Sequence, residues 1–283
     1  MLGRLRWIVR RLRQIVQRLR QPALTTTVLD AYVSGPPSPR HAVEIFRGEW
    51  ASRFPAPLDD VPAGRIALFE DPRLAWAIAA VGGLRGQRVL ELGPLEGGHS
   101  YMCDRAGAAE VVAIEANTRA YLKCLIAKEL LGMPSVRFVC GDFVEYLGET
   151  TARFDFCVAS GVLYHMKDPV ELIARLSRIV PRLFLWTHYY DEAIIGASPR
   201  LAHRRVTPTT ATVEGFTHQL HRQEYRELLA SQRFRGGTSA HCQWMSRAGI
   251  LGALGHFGYR TIEIGLDEPD HANGPAFSLV ALR

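Results

Sequence analysis

The feature that most constrains this chain is an alternation of short β-rich runs with helical patterns between residues 88 and 188. The runs are "RVLEL" (88–92), "EVVAIE" (110–115), "VRFVC" (136–140), "FDFCVA" (154–159) and "RLFLWTH" (182–188). Strands that alternate with helices are joined by right-handed crossovers, so these five runs specify a parallel sheet with helices on both faces. The chain then closes with a helical pattern, "SRAGILGALGHFG", and two further strands, "YRTIEIGL" and "AFSLVALR". That hairpin places one strand antiparallel. The expected fold is α/β, a doubly wound, seven-stranded, mostly parallel sheet.

The flanking segments read differently. In "MLGRLRWIVRRLRQIVQRLR", eight aliphatic residues fall within an arc of about 140° on a helix, and arginines and glutamines fill the rest. Interrupting arginines exclude a membrane span and leave no apolar core for a secretory signal. Residues 1–21 are therefore expected to form a basic amphipathic helix. It would suit peripheral contact with the inner face of a membrane, packing on the body, self-association or an organelle presequence. Residues 22–70 are rich in Pro and Gly ("SGPPSPR", "FPAPLDDVPAG") and read as an arm or lid. The main domain is expected over 71–283, starting with Asp71 as N-cap and Pro72 at the first helical position. An irregular insertion is expected over about 189–243. Within it, "HQLHRQEYRELL" reads as a helix with His218 and His221 on one face, followed by Glu224; such a set could ligate a metal, but none is assigned.

Charge narrows the partners. Of 34 basic residues, seven are arginines in the first 20 positions, and the rest of the chain holds 27 basic against 28 acidic residues. A nearly neutral body does not carry a broad nucleic-acid-binding face. The five cysteines form no CxxC pair or metal-ligand spacing, which favours a reducing cytoplasm. Cys140 and Cys157 sit in apolar runs, where free cysteine behaves as a small hydrophobe.

Three signals fall where successive strands end. "VLELGPLEGGHS" combines Glu91 with Gly93 and Gly97, and glycines let the chain turn sharply and approach a ligand. The second strand ends in Glu115, an acid that can accept both hydroxyls of a ribose; a solvated strand-end acid is the simpler alternative. The third ends in "CGDF", with Asp142 beside the same crevice and Phe143 able to cover a flat ring. Asp142 could equally be the N-cap of the following helix. The pattern contains neither G-x-G-x-x-G nor G-K-[ST], which disfavours the dinucleotide fingerprint and the P-loop.

Taken together, "VLELGPLEGG", "VVAIEAN", "CGDF" and "FDFCVASGVLYHMKDP" resemble the class I S-adenosylmethionine (SAM)-dependent methyltransferases, in motif detail over about residues 85–188. The resemblance implies a Rossmann-like fold with SAM as cofactor. Glu91, Gly93 and Gly97 would line the methionine portion, Glu115 would hold the ribose, and Asp142 and Phe143 the adenine. "GVLYH" is also similar to the tRNA wobble-uridine carboxymethyltransferases. The segment from Ser160 to His165 would cross the mouth of the crevice beside the sulfonium.

What is absent narrows the acceptor. Strand four ends in "ASGV", without the [DN]-P-P-[YF] motif of base-amine methylation. No Pro-Cys nucleophile motif is present, and three lysines cannot supply a Lys-Asp-Lys-Glu ribose-methylating set. The expected function is methyl transfer from SAM to a small molecule, a hydroxyl of a glycan, lipid-linked sugar or secondary metabolite. Alternatives are methyl or carboxymethyl transfer to a tRNA nucleoside, and a non-catalytic SAM-fold binding protein. A hydroxyl acceptor calls for a base, and histidine is matched to neutral pH. Tyr164 is expected to position the reactants, with His165 and His188 as candidate bases.

Overall fold

The computed structural model describes residues 32–225, 236–237 and 239–283. The amphipathic helix expected over 1–21 lies outside the described residues. A short helix α1 (Pro39–Glu44) precedes α2 (Pro72–Ala80), and Asp71 caps α2 by accepting the Arg73 N–H, with Pro72 in the first turn. Alternation then follows: β1 (Arg88–Leu92), α3 (Gly98–Arg105), β2 (Glu110–Glu115), α4 (Thr118–Leu131), β3 (Val136–Cys140) and α5 (Phe143–Glu149). It continues with β4 (Phe156–Ser160), α6 (Pro169–Ile179) and β5 (Arg182–His188).

The insertion contains α7 (Glu192–Ala197) and strands β6 (Thr209–Val213), β7 (Phe216–Glu224) and β8 (His241–Trp244). The chain closes with α8 (Arg247–His256), β9 (Thr261–Glu268) and β10 (Ala276–Leu282). The main sheet has seven strands in the order β3-β2-β1-β4-β5-β10-β9, and β10 runs antiparallel to both its neighbours. The doubly wound, mostly parallel sheet expected from the sequence is present. Crossovers to either side of β1 and β4 open a crevice at their C-terminal ends, where ligands bind in folds of this kind.

Two apolar layers sandwich the sheet. Leu90, Val112, Cys157 and Leu183 point into one, shared with α5, α6 and α8. Val89, Val111, Phe156 and Phe184 point into the other, shared with α2, α3, α4 and the segment 39–70. That segment contributes Phe46, Trp50, Phe54 and Phe69, whose rings follow one another at centroid distances of 6.4, 5.1 and 5.3 Å and end against Tyr101 at 5.8 Å. Burying four large aromatic side chains in this way is a substantial part of what fixes the segment, since each removes a large apolar area from water.

Two local expectations are corrected. The segment from His218 to Glu224 is a strand, not a helix: β7 pairs with β6 and then with β8. Glu214 and Gly215, both at positive φ (46° and 82°), make the tight turn between β6 and β7. Residues three apart on a strand project to opposite sides, so His218 and His221 share no face. His218 stacks on Phe216 and His221 on Tyr190. Cys140, at the last position of edge strand β3, is exposed rather than packed as a hydrophobe, whereas Cys157 is buried.

Candidate active site

Alternation along the strands gathers the strand-end residues. Leu90 and Leu92, Val112 and Ile114, Cys157 and Ala159, and Leu183 and Leu185 enter one apolar layer. The intervening positions Glu91, Glu115, Ser160, Trp186 and His188 therefore share the other face. Register carries them to one end of the sheet, with Glu91 opposite Val158 and Ser160 opposite Trp186.

The loop after β1 forms a backbone cradle. Gly93 has φ of +63° and Gly97, the N-cap of α3, has φ of +81°. A Cβ at Gly97 would also lie 3.0 Å from the Phe138 ring, and one at Gly93 3.0 Å from Val162. Between them, the Leu95 N–H donates to Glu115 Oε2 at 3.0 Å, while the Asn117 N–H donates to Oε1 at 2.8 Å. Two backbone donors thus fix the Glu115 carboxylate against the cradle. Asp142 is exposed and caps α5 through the Val144 N–H at 2.7 Å; Phe143 is buried in the apolar layer behind it. A tight glycine turn beside a pinned strand-end carboxylate, with a second acid at the next strand end, fits a nucleoside carrying an amino-acid tail.

Glu91 belongs to a buried polar chain that the sequence did not indicate. It accepts the Ser100 hydroxyl and lies 3.9 Å from His99 Nδ1. Burial pushes its carboxyl up to about 6, against the opposing pull of His99 and Ser100. The other side of His99 meets Asp71, with Nε2 2.9 Å from Oδ2. Burial would raise Asp71, but His99 and the forked Arg73 guanidinium outweigh it and hold the carboxyl well below the usual range. Arg73 in turn sits 4.6 Å over the Trp186 ring.

Beyond Ser160 the chain enters a cluster of aromatic rings. Tyr164 packs against His165, His188, Trp186 and Trp244 at centroid distances of 4.1, 4.7, 6.0 and 6.3 Å. Its hydroxyl is 3.8 Å from where a Gly161 side chain would begin, so it reaches back to the end of β4. Burial pushes the phenol up to about 12 and keeps it protonated.

His188 stacks on Trp244 at 5.3 Å with a 7° angle between the rings. It also touches His271 at 4.9 Å. Its Nδ1 is 2.9 Å from the Gly274 carbonyl oxygen, an acceptor only, so the proton sits on Nδ1 and Nε2 carries the lone pair. Burial, then His271, lowers its pKa to about 4, so the ring is neutral near pH 7. His165 is likewise lowered to about 4 by burial, but its Nδ1 is engaged by the Tyr225 hydroxyl at 2.5 Å.

The structure therefore brings Tyr164, His165 and His188 together, and places Glu91, Gly93, Gly97, Glu115 and Ser160 along the adjoining crevice. Asp142 and Phe143 stand at its far end. Trp186, Trp244, Arg204 and His271 were missed. Only Trp186 gave a signal, an aromatic at the end of a core strand; the other three come from distant segments that the fold alone brings together.

Comparison with known proteins agrees with this architecture. Residues 90–182 match the family described as "Methyltransferase domain". A tRNA U34 carboxymethyltransferase of Campylobacter hominis is 24% identical over 57% of this chain and 59% of its own length. The chain thus spans about three fifths of that relative. Among solved structures, the N-terminal domain of EvdMO1 with SAH bound superposes with a TM-score of 0.65 at 22% identity, covering 86% of this chain and 94% of that one. A SAM-dependent methyltransferase from Mesorhizobium loti gives 0.51 at 15% identity, covering 77% of this chain and all of that one. With residues 90–182 matching the methyltransferase-domain family and seven strands in this order, the chain has the Rossmann-like fold of the SAM-dependent methyltransferases.

Proposed function

We propose that this protein binds SAM in the crevice over β1 and β2 and transfers its methyl group to a hydroxyl of a sugar-like small molecule held among Tyr164, Trp186, His188 and Trp244. When bound, SAM supplies a methyl group activated by its sulfonium, and the reaction is an in-line displacement. The protein's part is to align the acceptor oxygen, exclude water and take a proton. The observation that carries this reading is the fixed tautomer of His188. With Nδ1–H committed to Gly274, Nε2 is left as a neutral acceptor for a hydroxyl proton.

Aromatic faces suit the apolar C–H faces of a sugar ring, and Tyr164 supplies a hydroxyl to orient a reactant. The EvdMO1 N-terminal domain, whose fold this chain shares, was crystallised in the presence of SAH and D-fucose. That fact supports a sugar acceptor without assigning one.

A second reading is favoured by the names of the curated relatives, tRNA U34 carboxymethyltransferases. Incubation with methyl-labelled SAM and separated sugar, glycolipid and tRNA fractions decides between them. The proposal expects label in a carbohydrate-containing fraction. Label confined to tRNA, or carboxymethyl transfer alone, would replace it with the second reading.

A further inference from the structure

Two arginines stack on the two tryptophans of the aromatic cluster, and they differ in one respect. Arg73, over Trp186, is neutralised by Asp71, whose carboxylate meets its Nε and Nη2 at 2.6 to 3.1 Å. Arg204 lies 4.5 Å over Trp244. Among the described residues no carboxylate comes within salt-bridge distance of it. The side-chain partner its guanidinium finds there is the amide oxygen of Gln223, 3.4 Å from Nη1, and its Nε is buried without any hydrogen-bond partner. A half-buried guanidinium whose Nε is cut off from water loses more hydration than one neutral amide and one ring face return. The imidazoles nearby do not compensate it, and a neutral ring carries no negative charge.

Resting on the sugar-like acceptor reading above, we infer that Arg204 is the receptor for a single anionic group on the acceptor, so that the substrate is an acidic sugar. One uncompensated positive charge calls for one negative charge, and the planar N–H fork fits the two oxygens of a carboxylate or of a phosphate ester. The position agrees with the chemistry. Trp244 bears both Arg204 and His188, which puts the anion and the proton acceptor on one ring's surroundings. Gly274 makes this possible: a Cβ there would fall 2.8 Å from the Trp244 ring and 4.0 Å from Arg204 Cδ, and its carbonyl sets the His188 tautomer.

The test is calorimetry on the full chain saturated with S-adenosylhomocysteine, using glucose, glucuronate and glucose 1-phosphate as probes. At least one charged probe should bind about tenfold or more tighter than glucose. Arg204→Met should abolish that difference, and Arg204→Lys should restore part of it. Whichever charged probe gains the more names carboxylate or phosphate as the group. Circular dichroism and S-adenosylhomocysteine affinity show that each variant is folded. Charged and neutral probes binding alike, no charged probe binding, or a difference that survives Arg204→Met would overturn the inference while leaving cofactor binding intact. Loss of S-adenosylhomocysteine binding in the unmodified protein would instead count against the methyltransferase reading itself.

Discussion

Lys123 Nζ lies 2.5 Å from Glu96 Oε1, and 1% and 0% of the two side chains are exposed. Glu96 sits in the turn before α3 and also accepts the N–H groups of Ala51 and Ser52 at 2.8 to 3.1 Å. Lys123 donates to the Glu49 carbonyl as well, at 3.1 Å. The pair thus ties the segment 39–70 to the loop that shapes the crevice.

Removing one partner of such a pair leaves a buried charge uncompensated, at a cost of about 3–5 kcal/mol. Lys123→Met is expected to lower the unfolding free energy by that much, read as a lower denaturant midpoint, and Lys123→Met with Glu96→Gln to recover a large part. Equal midpoints for the single and double variants would mean that the pair is not energetically coupled.

Glu91 makes opposite demands on stability and binding. Its folded pKa, raised to about 6, exceeds the unfolded one, so the folded state holds a proton more tightly. Its contribution therefore rises as pH falls from about 7 to below the unfolded value, and charging it at pH 7 costs about 2 kcal/mol. Glu91→Gln should raise the apo-protein melting temperature at pH 7 but not at pH 4.5. If its carboxylate faces the methionine portion of SAM, the same change should weaken SAM. In the unmodified protein SAM affinity should fall below pH 6. Calorimetry across pH 5–8 checks both trends, and a flat affinity profile would remove Glu91 from the cofactor site.

Glu115→Ala removes the carboxylate that fixes Leu95 and Asn117. If it also accepts ribose hydroxyls, each lost hydrogen bond costs about 0.5–1.5 kcal/mol. SAM affinity should drop at least several-fold, and a loss under twofold in calorimetry would count against the ribose assignment.

The central fold was legible in the sequence because its strands are buried on both faces. Apolar runs between helical patterns leave few alternatives, and β1 to β5 fall within two residues of where composition puts them. The insertion was not legible for a specific reason. "HQLHRQEYRELL" has the polar richness of a surface helix, while the hairpin that overrides it turns on Glu214-Gly215, a weaker turn signal than Asn-Gly. The crevice end of the site could be read from glycines and acids beside strands. The aromatic cluster could not, since Trp186, Arg204, Trp244 and His271 become neighbours only through long-range packing.

The roles of Tyr164, His165 and His188 can be separated by what each already touches. His165 Nδ1 is occupied by Tyr225, and His188 Nδ1 by a carbonyl that forces the lone pair to Nε2. The Tyr164 hydroxyl reaches toward Gly161 at the end of β4. His188→Gln should leave SAM affinity within about twofold and reduce turnover by about 10²–10⁴, the usual worth of a positioned base. Because burial holds His188 near 4, its protonation should not limit turnover above about pH 5, so an acid limb near 6 at saturating SAM belongs to another group. Tyr164→Phe removes only a hydroxyl and should lower turnover less, with unchanged SAM affinity. His165→Ala should act mainly on stability, by releasing Tyr225. Single-turnover rates with labelled SAM rank the three. Normal turnover in His188→Gln with a large loss in His165→Ala would move the base to the residue beside Tyr164.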